Sequence, residues 1–170
     1  MPKGLKETSS LITIGFTAVE TAPNTFTQAT VDLQLNPLDN EVFIVYAIDI
    51  DVAAPDALAT VNTAQSASVS TTTRTTLGDL ADSNVLASSA RQIRAAGFVD
   101  GGVAFTTGSN ESPATQLSYL GIIATNNFFI QIQGANNLAP HSVTGKLFGA
   151  RARADANIFS ALVQSELLSQ

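Results

Sequence analysis

Apolar and polar residues alternate along most of the chain with a period of two, the spacing that sends successive side chains to opposite faces of a strand. Ile12, Ile14, Phe16 and Ala18 alternate with Thr13, Gly15 and Thr17, and Ala29, Val31, Leu33 and Leu35 with Gln28, Thr30, Asp32 and Gln34. Both stretches read as half-buried strands. Asn36-Pro37-Leu38-Asp39-Asn40 reads as a turn, because its proline has no amide hydrogen to give to a ladder. From Glu41 to Val52, Val42, Ile44, Tyr46, Ile48 and Ile50 fall on one face, while on the other Phe43, Val45 and Ala47 give way to Asp49 and Asp51. Such a strand is covered on both sides at its start and wetted on one side at its end. It suits a central position or a face buried by a neighbouring subunit.

Ala53-Ala54-Pro55-Asp56 breaks this pattern. Residues 60–76 are rich in Ser and Thr with few apolar positions, and read as an exposed strand, a flexible loop being the alternative. Residues 79–84 form a loop. Residues 85–96 admit two readings. Leu86, Ala90 and Ile93 share a helical face, with Asp82 or Ser83 as N-cap and Gly97 as C-cap, yet Arg91, Ile93 and Ala95 also alternate as in a strand. Phe98 to Thr106 reads as a strand interrupted at Gly101-Gly102 by a bulge or tight turn, and residues 107–114 as a polar loop. Leu117–Ala124 and Phe128–Gln133 predict a hairpin joined through Thr125-Asn126-Asn127. Ser142 to Arg153 is a long strand with Val143, Leu147 and Arg151 on one face and Phe148 on the other. A helix follows from Asp155, with Ile158, Phe159, Leu162, Val163 and Leu167 at helical spacing. It is expected to cover its own sandwich; the alternative is docking on a neighbour through Phe159 and Leu162.

The count is about eight strands with no alternating long helices, which excludes a doubly wound α/β fold. It predicts an all-β, eight-stranded two-sheet sandwich of jelly-roll type with a C-terminal helix. Residues 1–10 are read as a short N-terminal arm, 11–154 as the sandwich and 155–170 as a helix of the same domain.

Composition adds what the pattern leaves open. With 170 residues, 45% hydrophobic, the chain has material for one domain and a real core. Charged residues are only 13%, against about 25% in an average soluble domain. Ser and Thr number 34, Asn 11, Ala 25 and Lys three, so polarity rests on neutral groups. Surfaces without charge do not hold neighbours apart. A net charge of -6 and dispersed basic residues argue against direct, sequence-specific nucleic-acid binding. There is no cysteine, so no disulfide framework or Cys-based zinc site exists. Glu7, Thr8, Ser9 and Ser10 interrupt any apolar signal-peptide region, and no window approaches the roughly 18 apolar residues of a membrane span.

Candidate chemistry is sparse. The only histidine, His141, sits in a Pro-His-Ser loop and reads as a surface residue. No nucleophile-elbow, dinucleotide or P-loop pattern occurs, so the chain reads as no enzyme, without a cofactor. Asp49, Asp51 and Asp56 are the one acidic group whose spacing suggests a calcium site. The preferred reading is a wetted strand end whose charges resist edge pairing. Lys146, Arg151 and Arg153 are the main basic group, suited either to acidic groups of a neighbouring subunit or a packaged polyanion, or to pairing within the chain with the Asp cluster or Asp155. Arg91 and Arg94 would share a helical face, and Asn110-Glu111-Ser112 is a glycosylation sequon.

A small all-β chain with Ser/Thr/Asn/Ala polarity, no Cys and no catalytic grouping resembles a jelly-roll coat protein of an icosahedral virus, by pattern over residues 11–153. The resemblance implies a many-copy homo-oligomer in the virion capsid, synthesised in the host cytoplasm, with loops at subunit contacts and, as further partners, other capsid proteins or an internal membrane. RNA-virus coat proteins often carry a basic arm, and residues 1–8 offer only Lys3 and Lys6. That departure fits a shell around motor-packaged DNA or a membrane vesicle better. The rival is a carbohydrate- or surface-binding sandwich of adhesin type, which wants a cleft with aromatic platforms, whereas aromatics are 6% and Trp is absent. A cupin-like enzyme would need a His and carboxylate cluster that the chain lacks.

Overall fold

The computed structural model describes residues 3–108 and 117–168. Over these, the chain forms β1 (Leu5–Glu7), β2 (Ile12–Val19), β3 (Thr27–Asp32), β4 (Glu41–Val52), β5 (Thr63–Ser70), β6 (Val85–Arg94), β7 (Val103–Gly108), β8 (Gly121–Ile123), β9 (Asn127–Ala135), β10 (Ser142–Ala154) and α1 (Ala156–Leu168). The antiparallel pairs β2·β10, β3·β9, β4·β8 and β5·β6 are nested, each inside the one before, as if one long hairpin had been wrapped on itself. Wrapping adds β10·β4 and β9·β5, which gives a first sheet β2-β10-β4-β8 and a second sheet β3-β9-β5-β6. This is the jelly roll that the alternation predicts.

Two strands extend the eight. β1, inside the segment read as an arm, runs along β10 ahead of β2, and β7 adds an edge to the second sheet. Between β1 and β2 the ladder is bridged by the Thr8 amide on Arg151 O (2.9 Å) and the Arg151 amide on Ser9 Oγ (2.9 Å). β1 and β2 are thus one interrupted strand.

The space between the sheets is filled by Phe16, Phe43, Val45, Ile48, Ile50, Phe128, Ile130, Ile132 and Leu147, among others. Phe16 and Phe128 meet edge to face, centroids 5.9 Å apart at 81°.

Three expectations are corrected and one open reading is decided. The predicted inward parity of β4 fails halfway: Phe43 and Val45 face the core, but so do Ile48, Ile50 and Val52. The cause is a bulge, because Phe148 lies opposite Ala47 and Gly149 opposite Val45, leaving Tyr46 as the extra residue. Gly149 is required there, since a Cβ would run into the Phe43 ring and the Ile44 carbonyl.

The hairpin over 117–133 is not formed. β8 pairs with β4 in one sheet and β9 with β3 and β5 in the other, so Ala124–Asn126 cross between sheets. Asn126 uses its polar groups on the end of β3, its carbonyl accepting the Leu33 amide (2.7 Å) and its Oδ1 the Leu35 amide (2.6 Å).

The Ser/Thr tract is a strand only over Thr63–Ser70, and it is buried. Ser68 and Ser70 face outward yet lose all contact with solvent, because the chain after Ser70 folds back over them. Finally, of the two readings of residues 85–96 the strand is the one formed, over Val85–Arg94, so Arg91 and Arg94 fall on opposite faces. Leu86, Ala90 and Ile93 satisfied a helical spacing only because most of β6 is small or polar.

α1 covers part of the outer face of the first sheet. Ile158, Phe159, Leu162 and Val163 pack on Leu5, Val42, Ile44, Ala124, Ala152 and Ala154. The alanines let the helix approach closely, and Gly4, with φ +77°, leaves room for the Ile158 side chain. The helix covers its own sandwich, although Leu167, placed in its apolar stripe, stays exposed. Glu166, buried near its end, accepts the amides of Ala124 (2.7 Å) and Thr125 (3.0 Å), so the helix is tied to the crossover between the sheets. Among the described residues no helix is long and apolar enough to cross a membrane.

Candidate functional site

Among the described residues the space between the sheets is packed mainly with apolar side chains, and the polar clusters lie at the loop ends, the sheet faces and the edges. At one end, the loops after β2, β4 and β9 are knotted together by polar side chains. Glu20, almost fully buried, accepts the Gly134 amide (2.6 Å) with one oxygen and the His141 amide (3.0 Å) with the other. Asp56 Oδ2 accepts the amides of Leu138 (2.7 Å) and Ala139 (3.1 Å), and its Oδ1 lies 3.0 Å from His141 Nε2. Asn137 bonds Ala64 O (2.9 Å), Gln65 Oε1 (3.0 Å) and the Asp56 amide (3.0 Å), while Asn24 takes both the amide and the carbonyl of Asn137. Asn62 joins the β6–β7 loop to the same end by accepting the amides of Ala95 and Ala96. These contacts satisfy loop backbone that would otherwise lack partners.

His141, read as a surface residue, is instead a half-buried strut of this knot. The Leu138 amide above all, with the Ala139 amide and the His141 ring, holds the Asp56 carboxyl below its ordinary range against the opposing effect of partial burial. A lowered carboxyl pKa gives stability that is present above the unfolded value, about 3.9, and is lost as pH falls through the folded one. Asp56→Asn is therefore expected to melt below wild type at neutral pH, with the gap closing below about pH 4. Melting curves over that range that keep a constant gap would refute the assignment.

The three aspartates proposed for calcium stand in three different surroundings. Asp56 is in the knot, Asp51 pairs with Arg91 at 2.9 Å, and Asp49 sits opposite Lys146 in the β4·β10 register. Among the described residues no group of three or more His, Asp or Glu is placed to hold a metal ion. Asp49 and Asp51 are exposed on β4 beyond the reach of β8, which pairs only with residues 43–45.

Of the basic group, Arg151 closes the opposite end. Its guanidinium bonds Leu33 O (2.8 Å), Gln34 O (3.2 Å) and Glu41 Oε2 (3.2 Å), tying β10 to the turn after β3. Arg153 pairs with Asp39 at 3.3 Å. The carboxylate partners of the two arginines are thus Glu41 and Asp39, while Lys146 lies opposite Asp49 in the β4·β10 register. Phe159 and Leu162, offered as interface residues, are half-buried under α1. The sequon at Asn110-Glu111-Ser112 lies outside the described residues.

The outer faces carry what remains. On the first sheet, beyond α1, cross-strand rows read Thr17–Thr144–Asp51, Gly15–Lys146–Asp49 and Thr13–Phe148–Ala47. On the second sheet one row reads Gln28–Gln131–Ser68–Ser88. Gln131 bonds Gln28 (2.9 Å), Ser68 (2.7 Å) and Ser70 (2.8 Å), and the 71–84 segment roofs the row through the Arg74 amide on Gln28 (2.9 Å) and the Gly78 amide on Ser68 (3.1 Å). Arg74 holds that roof in shape by bonding Asn84 (2.9 Å) and Asp82 (3.0 Å). Glu20, Arg74, Gln131 and Glu166 escaped sequence reasoning. The available signal was their isolation: each is a lone large polar group beside neutral or apolar neighbours, which marks a side chain with a dedicated partner.

Searches of the chain against protein-family models and against curated proteins give no match.

Proposed function

We propose that the protein is a structural subunit that self-assembles into a closed shell, a viral capsid protein, held together by contacts between copies. The observation that carries this reading is where the charge goes. Four of the five arginines are paired with carboxylates of their own chain, at Asp82, Asp51, Glu41 and Asp39. They brace loops and strand ends, while the open outer face of the first sheet sets Asp49, Asp51 and Lys146 among Thr13, Gly15, Thr17 and Thr144, so that charge is sparse on it. In a chain of net charge -6, surfaces where charge is sparse oppose the approach of a second copy least.

Other features are consistent with a structural part. Loops at one end are cross-tied by Glu20, Asp56, Asn24 and Asn137, and the opposite end by Arg151, so contacts made there meet a fixed shape. Preformed surfaces lose less entropy on association. The groove largest in volume among those described, about 440 Å³, is lined by small and aliphatic residues with one carboxylate, Asp79, and has no aromatic platform for a sugar ring.

Purified protein is expected to elute as large assemblies in size-exclusion chromatography with light scattering, and to show closed particles or rings in negative stain. A stable monomer at all concentrations, binding glycans on an array, would instead establish the adhesin-like rival.

A further inference from the structure

We propose that two copies of this chain meet across a twofold axis at the outer corner of the second sheet, the Val103–Phe105 ridge of each copy seated in the groove beside the ridge of the other. This rests on the assembly reading above and names one contact that it uses.

The ridge comes from the edge. β7 is the last strand of the second sheet, and among the described residues it pairs only with β6. The register Val103 opposite Arg94, Phe105 opposite Gln92 and Thr107 opposite Ala90 sets Val103, Phe105 and Thr107 on the outer face. Val103 is 46% and Phe105 51% exposed, and Phe98 and Val99 in the preceding loop are exposed as well. An aromatic side chain carries about 150–250 Å², so Phe105 alone leaves roughly half of that apolar surface in water beside an unpaired strand edge. The strand between Gly102 and Gly108 has none of the devices that protect an edge: no lysine, no proline and no inward charge.

The groove lies alongside. Its volume is about 440 Å³, its floor is Ser66, Ser88 and Ala90, and its wall is Leu77, Asp79 and Leu80. A floor of small side chains between an aliphatic wall and a ridge accepts a ring of the kind Phe105 carries. Because ridge and groove are neighbours on one molecule, a twofold axis between them fills both grooves at once, the self-complementary geometry of an isologous dimer.

Charge fits the same pose. Arg94, at the end of the ridge, is the one arginine with no ion pair among the described residues. Asp79 is in the groove wall, and its carboxylate bonds only the nearby Ala81 amide (2.8 Å) among the described contacts. The twofold brings Arg94 of one copy to Asp79 of the partner subunit, opposite charges meeting twice.

The test is a charge exchange read by sedimentation velocity, with melting temperature as the control for folding. Arg94→Asp and Asp79→Arg are each expected to weaken self-association at least tenfold without changing the melting temperature, and Phe105→Ser to do the same. The double variant Arg94→Asp/Asp79→Arg is expected to recover association. Single variants that associate like wild type, or a double variant as weak as either single, would overturn this contact while leaving shell formation through other faces intact. A wild-type protein that stays monomeric at all concentrations would overturn the assembly reading itself.

Discussion

Phe159→Asp is expected to abolish soluble, folded protein. The ring is half-buried where α1 lies on the first sheet, over a floor that includes Val42 and Ile44, both fully buried. A carboxylate at that site loses its hydration without gaining a partner, and the helix is driven off the sheet. What it uncovers is a β-branched, apolar surface on a central strand, an aggregation site of the kind that edge and face protection exists to hide. Truncating an aromatic in a core costs about 3–5 kcal/mol, and the charge adds to that, against a total stability of about 5–15 kcal/mol for a domain. The measurement is the soluble fraction on expression, with far-UV circular dichroism of whatever remains. Phe159→Leu keeps the apolar contact and is expected to stay soluble. If α1 served a neighbouring copy, Phe159→Asp would give a folded, soluble monomer that fails only to assemble, so the two outcomes separate an intramolecular from an intermolecular role.

The second large effect belongs to the sandwich interior. Phe128→Ala is expected to lower the unfolding free energy by about 3–5 kcal/mol, because the ring is fully buried and the surrounding strands close only partly over the cavity. Its edge-to-face contact with Phe16 joins β9 of one sheet to β2 of the other, so the loss falls on the cohesion of the two layers. Urea unfolding should show a lower midpoint with an unchanged slope. A change under 1 kcal/mol would mean that this position is not the close-packed centre described above.

What could be read without coordinates was whatever depends on a strand's own face. Ile12 to Ala18 and Val143 to Leu147 alternate because one side meets the core, and each was legible for that reason. The register of β4 was not, since the bulge at Tyr46 is created by the partner strand and leaves no local mark. Nor was the burial of Ser68 and Ser70, which depends on a roof built from residues 71–84 and on Gln131, 61 residues and more away in sequence. Asn126 followed turn chemistry correctly, but its polar groups bond the end of β3, so a turn between sheets was mistaken for a turn within one. The charged side chains were the hardest to place. Arg151 and Asp56 find partners across the fold, at Glu41 and His141, and pairing of that kind is a property of topology, not of spacing.

The nesting of strands carries a consequence for how the molecule comes into being. Among the described residues β2 pairs only with β10, more than 120 residues later, and the pairs β3·β9, β4·β8 and β5·β6 are spanned by that closure. Contacts so distant along the sequence make folding slow, because loop entropy must be lost before the pairing is gained. A chain emerging from the ribosome at about 5–20 residues per second therefore holds its first strands unpaired until synthesis is nearly complete. A product that stops before β10 leaves β2 without its ladder partner, so loss of a late strand costs the pairing of an early one as well.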